Sequence, residues 1–203
     1  MDKARHSGIN LDLNSQMEIL VSIIRKNSIV ETVFQRIHSL PLDQYYVGAG
    51  CLTQTIWNYL SGYDLQNGIS DIDIVYYDLD LAYEKENELI EQARHLFRDF
   101  PIQIDLKNQA RVHLWYEDHF GYPIEPYPSL QAAINTWPTT ATALGVNKDS
   151  SSKWKVYAPF GLNDLFGMVV RPNKTLITEE VFVKKVTRWT KHWPQLTVIP
   201  WNT

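Results

Sequence analysis

The chain has 203 residues, 44% of them hydrophobic and 12% aromatic; that suits one good-sized domain, or a catalytic domain with a small helical lobe, and excludes a disordered chain. The net charge of −4 excludes a global basic field for nucleic acid, which makes a small anionic ligand a better partner than a long polynucleotide and leaves a local basic patch open. The single cysteine, Cys51, excludes an internal disulfide and a cysteine-based zinc site; Met1 to Ser15 lack an apolar signal core and no window nears the run of about 20 apolar residues that a spanning helix needs, so a cytoplasmic protein without membrane contact is expected.

Residues 1 to 14 read as a loose arm. Met17, Leu20, Val21 and Ile24 recur at helical spacing, with Ser15 as a candidate cap. A second helix spans Val30 to Ile37 and stops before Leu40-Pro41. Tyr45-Tyr46-Val47 reads as a short strand, Gly48-Ala49-Gly50 as a tight turn, and Cys51 to Leu60 as a helix ended by Ser61-Gly62. Asp71 to Tyr77 has the Ile, Val and Tyr content of a strand. Leu81 to Phe97 is a charged amphipathic helix, Ile102 to Leu106 a strand, and Asn108 to Phe120 a helix.

Beyond Gly121 the texture changes, with Pro123, Pro126, Pro128 and Pro138 interrupting the chain. Ser129 to Trp137 and Gly161 to Met168 read as short helices, Thr139 to Val146 as strand or loop, Lys155 to Tyr157 as a strand, and Glu179 to His192 as a last amphipathic helix. The expected fold is α+β, a small mixed sheet with flanking helices and a helical C-terminal part. A soft boundary near Gly121 divides a catalytic core at 1–120 from a dependent part at 121–203.

The chemistry concentrates in Gly48-Ala49-Gly50-Cys51 and Asp71-Ile72-Asp73-Ile74. Strand side chains alternate between faces, so Asp71 and Asp73 share one face, about 7 Å apart, while Ile72 and Ile74 enter the core. Oxygen ligands at that spacing suit Mg²⁺ or Mn²⁺. Asp105 alternates with Ile104 and Leu106 in the same way, and on a neighbouring strand it becomes a third carboxylate, able to complete a two-metal site or act as a base. Gly48 and Gly50 let backbone N–H groups approach a phosphate, and the following helix offers an anion-favouring N-terminus.

That order resembles the polymerase-beta-like nucleotidyltransferase superfamily. Ala49-Gly50-Cys51-Leu52 falls where tRNA CCA-adding enzymes carry Gly-Gly-Ala-Val. More narrowly, the chain is similar to a bacterial nucleotidyltransferase family over Gly48-Ala49-Gly50, Trp57, Ser70 to Asp78, Lys107 to Tyr116, Thr136 to Ala143 and Gly161 to Phe166. Ala49 and Cys51 depart from the usual Gly or Ser, and the gap from Gly50 to Asp71 is longer than the common pattern. The resemblance implies Mg²⁺, an NTP as substrate, and transfer of a nucleoside monophosphate with pyrophosphate release. It leaves the acceptor open among a small molecule, RNA or protein. A non-catalytic nucleotide-binding regulator and a toxin-like enzyme modifying tRNA or protein are the alternatives on the same fold.

Each candidate has a plainer reading. Asp71 and Asp73 alone would suit a solvated strand face, and Asp105 a salt bridge to a nearby Lys or Arg. Asp78 and Asp80 form a rival pair at a strand end, where carboxylates usually cap the next helix. Arg111 suits a phosphate, or an ion pair with Asp71 or Asp73. Asn108 either caps a helix or contacts the nucleotide. Cys51 is a small packing residue at a helix start, a position that lowers a thiol pKa. Trp137, Trp154, Trp189 and Trp193 read as packing residues. Lys184, Lys185, Arg188 and Lys191 form a basic face on the last helix, either solvated or set against an acidic acceptor.

Overall fold

The computed structural model describes residues 8–203, and the first half of the expected loose arm, residues 1–7, lies outside them. Within them, Asp12 is extended and its carboxylate accepts from the Ser15 backbone N–H, so α1 (Leu13–Ile24) starts two residues before the Ser15 cap expected from the sequence. The segment before it is tied down: Gln16 donates to the Gly8 carbonyl and to Asn163. Asn27 caps α2 (Ser28–Arg36), which ends in a single 3₁₀ turn at Ile37–Ser39.

Strand β1 (Tyr45–Gly48) leads through Ala49 into α3 (Gly50–Ser61), which Gly62 ends in a left-handed conformation. Strand β2 (Asp71–Tyr76), α4 (Tyr83–Leu96) and β3 (Gln103–Asn108) form a β-α-β unit with parallel strands. A 3₁₀ turn at Gln109–Arg111 precedes α5 (His113–Phe120), dividing the single helix expected there. After α6 (Leu130–Ile134), β4 (Gly145–Lys148) and β5 (Trp154–Tyr157) complete a five-stranded sheet ordered β3-β2-β1-β4-β5. Its strands come from both sides of Gly121. Helix α7 (Asn163–Phe166), β6 (Val169–Val170), α8 (Glu179–His192) and β7 (Thr197–Val198) close the fold, with β6 and β7 paired in a small parallel sheet that sequence patterning does not reveal.

Alternation divides β2 cleanly. Ile72 and Ile74 are fully buried in the core with Leu52 and Ile56 of α3, whereas Asp71 is exposed and Asp73 half-buried on the opposite face. Helix α8 is divided too. Phe182, Val186, Trp189 and, just past the helix, Trp193 face the core, and the Trp57 ring meets Trp189 and Trp193 edge-on at 5.8 and 5.6 Å between centroids. The Trp193 indole N–H donates to Asn58 at 2.8 Å, which fixes the end of α8 against α3. Trp154 also packs as expected, edge-on to Phe34.

Candidate active-site cleft

The carboxylates are positioned by strand register. Gly48 on β1 pairs with Asp73 on β2, and Asp73 pairs with Asp105 on β3; Asp71 pairs with Gln103. Residues in register project to the same face, so Asp73 and Asp105 stand side by side with Asp71 one step along. Lys107, two residues beyond Asp105 on that face, forms an ion pair with it. Burial pushes the Asp73 carboxyl up to about 6; Lys107 opposes this, Asp71 and Asp105 add to it, and Lys185 opposes it more weakly. A carboxylate withdrawn from water and crowded by two others has the chemistry of a hard-cation ligand, and Asp71 with Asp73 fits a divalent ion. Among the described residues no three His, Cys, Asp or Glu side chains are gathered closely enough to ligate one ion. Asp105 is instead engaged by Lys107, the salt bridge that is the plainer reading of this residue.

The glycine turn is built differently from the simple cradle. A Cβ on Gly48 would overlap the ring of Trp137, so this glycine makes room for an indole on the carboxylate face. Ala49 adopts φ 51° and ψ −127°, a conformation that favours glycine, and its N–H donates to the Leu144 carbonyl at 3.2 Å. No side chain caps α3, whose first N–H groups begin at Gly50 and Cys51 beside the carboxylates. Cys51 is buried and its thiol contacts the Gly48 carbonyl at 3.4 Å. Burial, with Asp73 and Asp71 nearby, pushes that thiol up, the reverse of the lowering expected from its helix-start position.

Asn108 and Arg111 lie at the junction of β3 and α5. Asn108 accepts from the Ala110 and Asp78 N–H groups and donates to the Asp78 carbonyl, which makes it a cap and a loop tie. Arg111 is buried and pairs with Glu86 of α4 at 2.6 Å, rather than with Asp71 or Asp73. The other oxygen of Glu86 accepts from the Asn108 N–H, so the three residues fasten the end of β3 to α4. Asp78 pairs with Lys85 at 2.7 Å, and Asp80 accepts from the Ala82 N–H just before α4.

A cavity of about 650 Å³ opens over the carboxylate face. Its floor includes Ala49, Asp73, Val75, Lys107 and Gln109. Val181, Lys184, Lys185 and Arg188 of α8 form one wall, and their spacing of three, one and three residues puts them on a single helical face that adjoins the one carrying Phe182 and Trp189, with the Lys185 ammonium 6.0 Å from the Trp189 ring centroid. The remaining wall is aromatic, from Trp115 to Trp137. Burial lowers the Lys185 pKa and Arg188 lowers it further, while Asp73 and Asp71 oppose the shift. The sequence shows this basic face without its direction, and Trp137 as a packing residue without the cleft it borders. Both depend on contacts between segments far apart in the chain.

Three comparisons bear on this arrangement. A nucleotidyltransferase family model matches residues 35–198. No curated protein matches the chain. Among solved structures, one described as revealing a CCA-adding enzyme head domain is similar at 26% identity and a TM-score of 0.73, covering 90% of this chain and 95% of that one. A tRNA-processing enzyme in an apo form is similar at 16% identity and a TM-score of 0.44, and another in a complex at 15% and 0.45; the matches cover 89% and 82% of this chain but 44% and 43% of theirs. The family match spans most of the chain, including every strand of the five-stranded sheet and the helix that walls the cleft, and the chain belongs to the nucleotidyltransferase family.

Proposed function

We propose that the protein transfers a nucleoside monophosphate from an NTP to an acceptor and releases pyrophosphate, with a divalent cation as cofactor. The observation that carries this reading is the register Gly48–Asp73–Asp105, which sets Asp73 beside the uncapped start of α3 on the floor of a cleft walled by cations, with Asp105 next to it in the ladder. Asp71 and Asp73 would hold the cation, Mg²⁺ or Mn²⁺, with Asp105 as a third ligand once it releases Lys107. Bound there, the ion supplies positive charge that acidifies the attacking hydroxyl and screens the phosphates.

The chain's own groups do the rest. The triphosphate lies along Lys184, Lys185 and Arg188, with the first N–H groups of α3 and the turn at Gly48, Ala49, Gly50 and Cys51 facing it. The acceptor hydroxyl oxygen attacks the α-phosphorus, its proton passes to Asp105, and the bond from the α-phosphorus to the bridging oxygen breaks. The electron pair leaves with pyrophosphate, whose charge Lys185 and Arg188 balance. Asn108 and Arg111 act at a distance by holding the end of β3. The likeness to a CCA-adding enzyme head domain puts RNA first among the acceptors to try, ahead of small molecules and protein.

The test is transfer from α-labelled NTPs with Mg²⁺ to RNA, protein and metabolite extracts, with an Asp71→Ala, Asp73→Ala double variant as control. Label reaching an acceptor only with the intact carboxylates supports the reading. Neither transfer nor metal-dependent NTP binding would sink it. A second reading, nucleotide binding without turnover, draws on the Asp105–Lys107 pair, which engages the proposed base; metal-dependent binding with no transfer to any extract would favour it.

A further inference from the structure

The cleft is graded along its floor. On the carboxylate face of the sheet β2 presents Asp71, Asp73 and Val75 and β3 presents Gln103, Asp105 and Lys107, of which Asp73, Val75 and Lys107 line the cavity. On β2 the carboxylates give way to apolar Val75 toward the C-terminal end, while on β3 Lys107, paired with Asp105, keeps a charge there. Gln109 follows next, four residues past Asp105, which at the strand rise puts its Cα about 13 Å further along. Trp115 and Tyr116 stand on the next turn of chain, at the start of the aromatic wall.

Gln109 is 5% exposed and lines the cavity. Its backbone carbonyl accepts from the Val112 N–H, but its side-chain amide has no hydrogen-bond partner among the described residues. The neighbouring polar groups are already engaged: Tyr127 pairs with Thr136 at 2.8 Å, and the Tyr122 hydroxyl donates to the Leu176 carbonyl at 2.7 Å. Its donor and acceptor are not sealed from solvent but open into the cavity, where a ligand that supplies both can pair with them.

We propose that Gln109 is the specificity-determining residue for the nucleotide: its side-chain amide hydrogen-bonds the edge of the nucleobase, which rests against the aromatic wall while the triphosphate lies at the charged end. The proposal rests on the nucleotidyltransferase reading above and adds which end of the cleft takes the base and which side chain reads it. A heterocyclic base offers what the site lacks, a flat π-face for Trp115 and Tyr116 and an edge with adjacent donor and acceptor atoms.

The test compares the affinities of ATP, GTP, CTP, UTP and inorganic tripolyphosphate, each with Mg²⁺, for the wild-type chain and for Gln109→Ala and Gln109→Glu, with thermal unfolding as a check on folding. The wild type is expected to favour one base over the poorest by about tenfold or more, the scale of one bidentate amide contact. Gln109→Ala should flatten that preference and leave tripolyphosphate affinity unchanged. Gln109→Glu, nearly the same shape but without the N–H donor, should reorder the bases. Equal binding of all four NTPs by the wild type, or an unchanged order in the glutamate variant, overturns the proposal and leaves the phosphate-binding reading standing. Binding of neither NTPs nor tripolyphosphate overturns both.

Discussion

The two walls that face each other across the cleft are held by different forces. The carboxylate wall belongs to a hydrogen-bonded ladder in which Gly48, Asp73 and Asp105 are fixed relative to one another by the main chain. The cation wall is one face of α8, and its position comes from packing on the adjoining face, through Trp189, the nearby Trp193 and the ring of Trp57. A ladder sets distances whatever the side chains are, whereas a packed helix moves when its core is altered. The first wall should therefore lose function only through its own residues, and the second through residues that never touch the cleft.

Substitutions can break that contrast or sharpen it. The largest expected effect is on the packed wall: Trp193→Ala removes a fully buried indole and its hydrogen bond to Asn58, and should cost about 3–5 kcal/mol in denaturant unfolding. Tripolyphosphate affinity should fall with it under conditions where the variant is still folded. Unchanged affinity would mean that α8 holds its position without that anchor. Asp73→Asn should reduce transfer at least a hundredfold, about 2.7 kcal/mol, without lowering the unfolding midpoint, since it replaces a carboxylate that burial already disfavours; a large loss of stability would show that the carboxylate supports the fold as well. Lys185→Met keeps the stem and removes the charge, so NTP and tripolyphosphate should both bind about tenfold more weakly, with a shallower salt dependence. Ala49→Gly should give the smallest change, a gain of about 1 kcal/mol in thermal or denaturant unfolding, because it relieves a positive φ. A loss there would show that the methyl group packs usefully against the cleft.

The ladder half of this site is readable in the sequence because its determinants are local. Asp71-Ile72-Asp73-Ile74 states in four letters which face is wet and which is dry, and Asp105 between Ile104 and Leu106 repeats the statement. Helices α2, α3, α4 and α8 likewise fall close to where their periodicity puts them. The packed half is not readable in this way. Nothing near Gly48 says that an indole 89 positions later occupies the space of its missing Cβ. Nothing within Glu179–His192 says whether its basic face meets water or Asp73, because the answer comes from Trp57 and the tryptophans around it. The turn invites a phosphate-cradle reading on its glycines alone, yet one glycine accommodates Trp137 and the residue with φ 51° is an alanine. Arg111 shows the same limit. Its suitability for phosphate is intrinsic, but Glu86, 25 residues earlier, engages it.

The order of strands in the sheet also governs how the chain can assemble as it is made. Strand β1 lies at the centre, yet the neighbour on its far side is β4, and the Asn147 side chain that donates to the Tyr45 carbonyl lies 102 residues downstream. At translation rates of about 5–20 residues per second, β1 waits several seconds or more with one edge unpaired. Throughout that interval β1 is paired with β2 alone, and an open strand edge is a template for pairing with other chains. Nascent chains stalled before residue 145 should therefore aggregate or recruit chaperones more than those that extend past residue 157, by which point β4 and β5 have both been made.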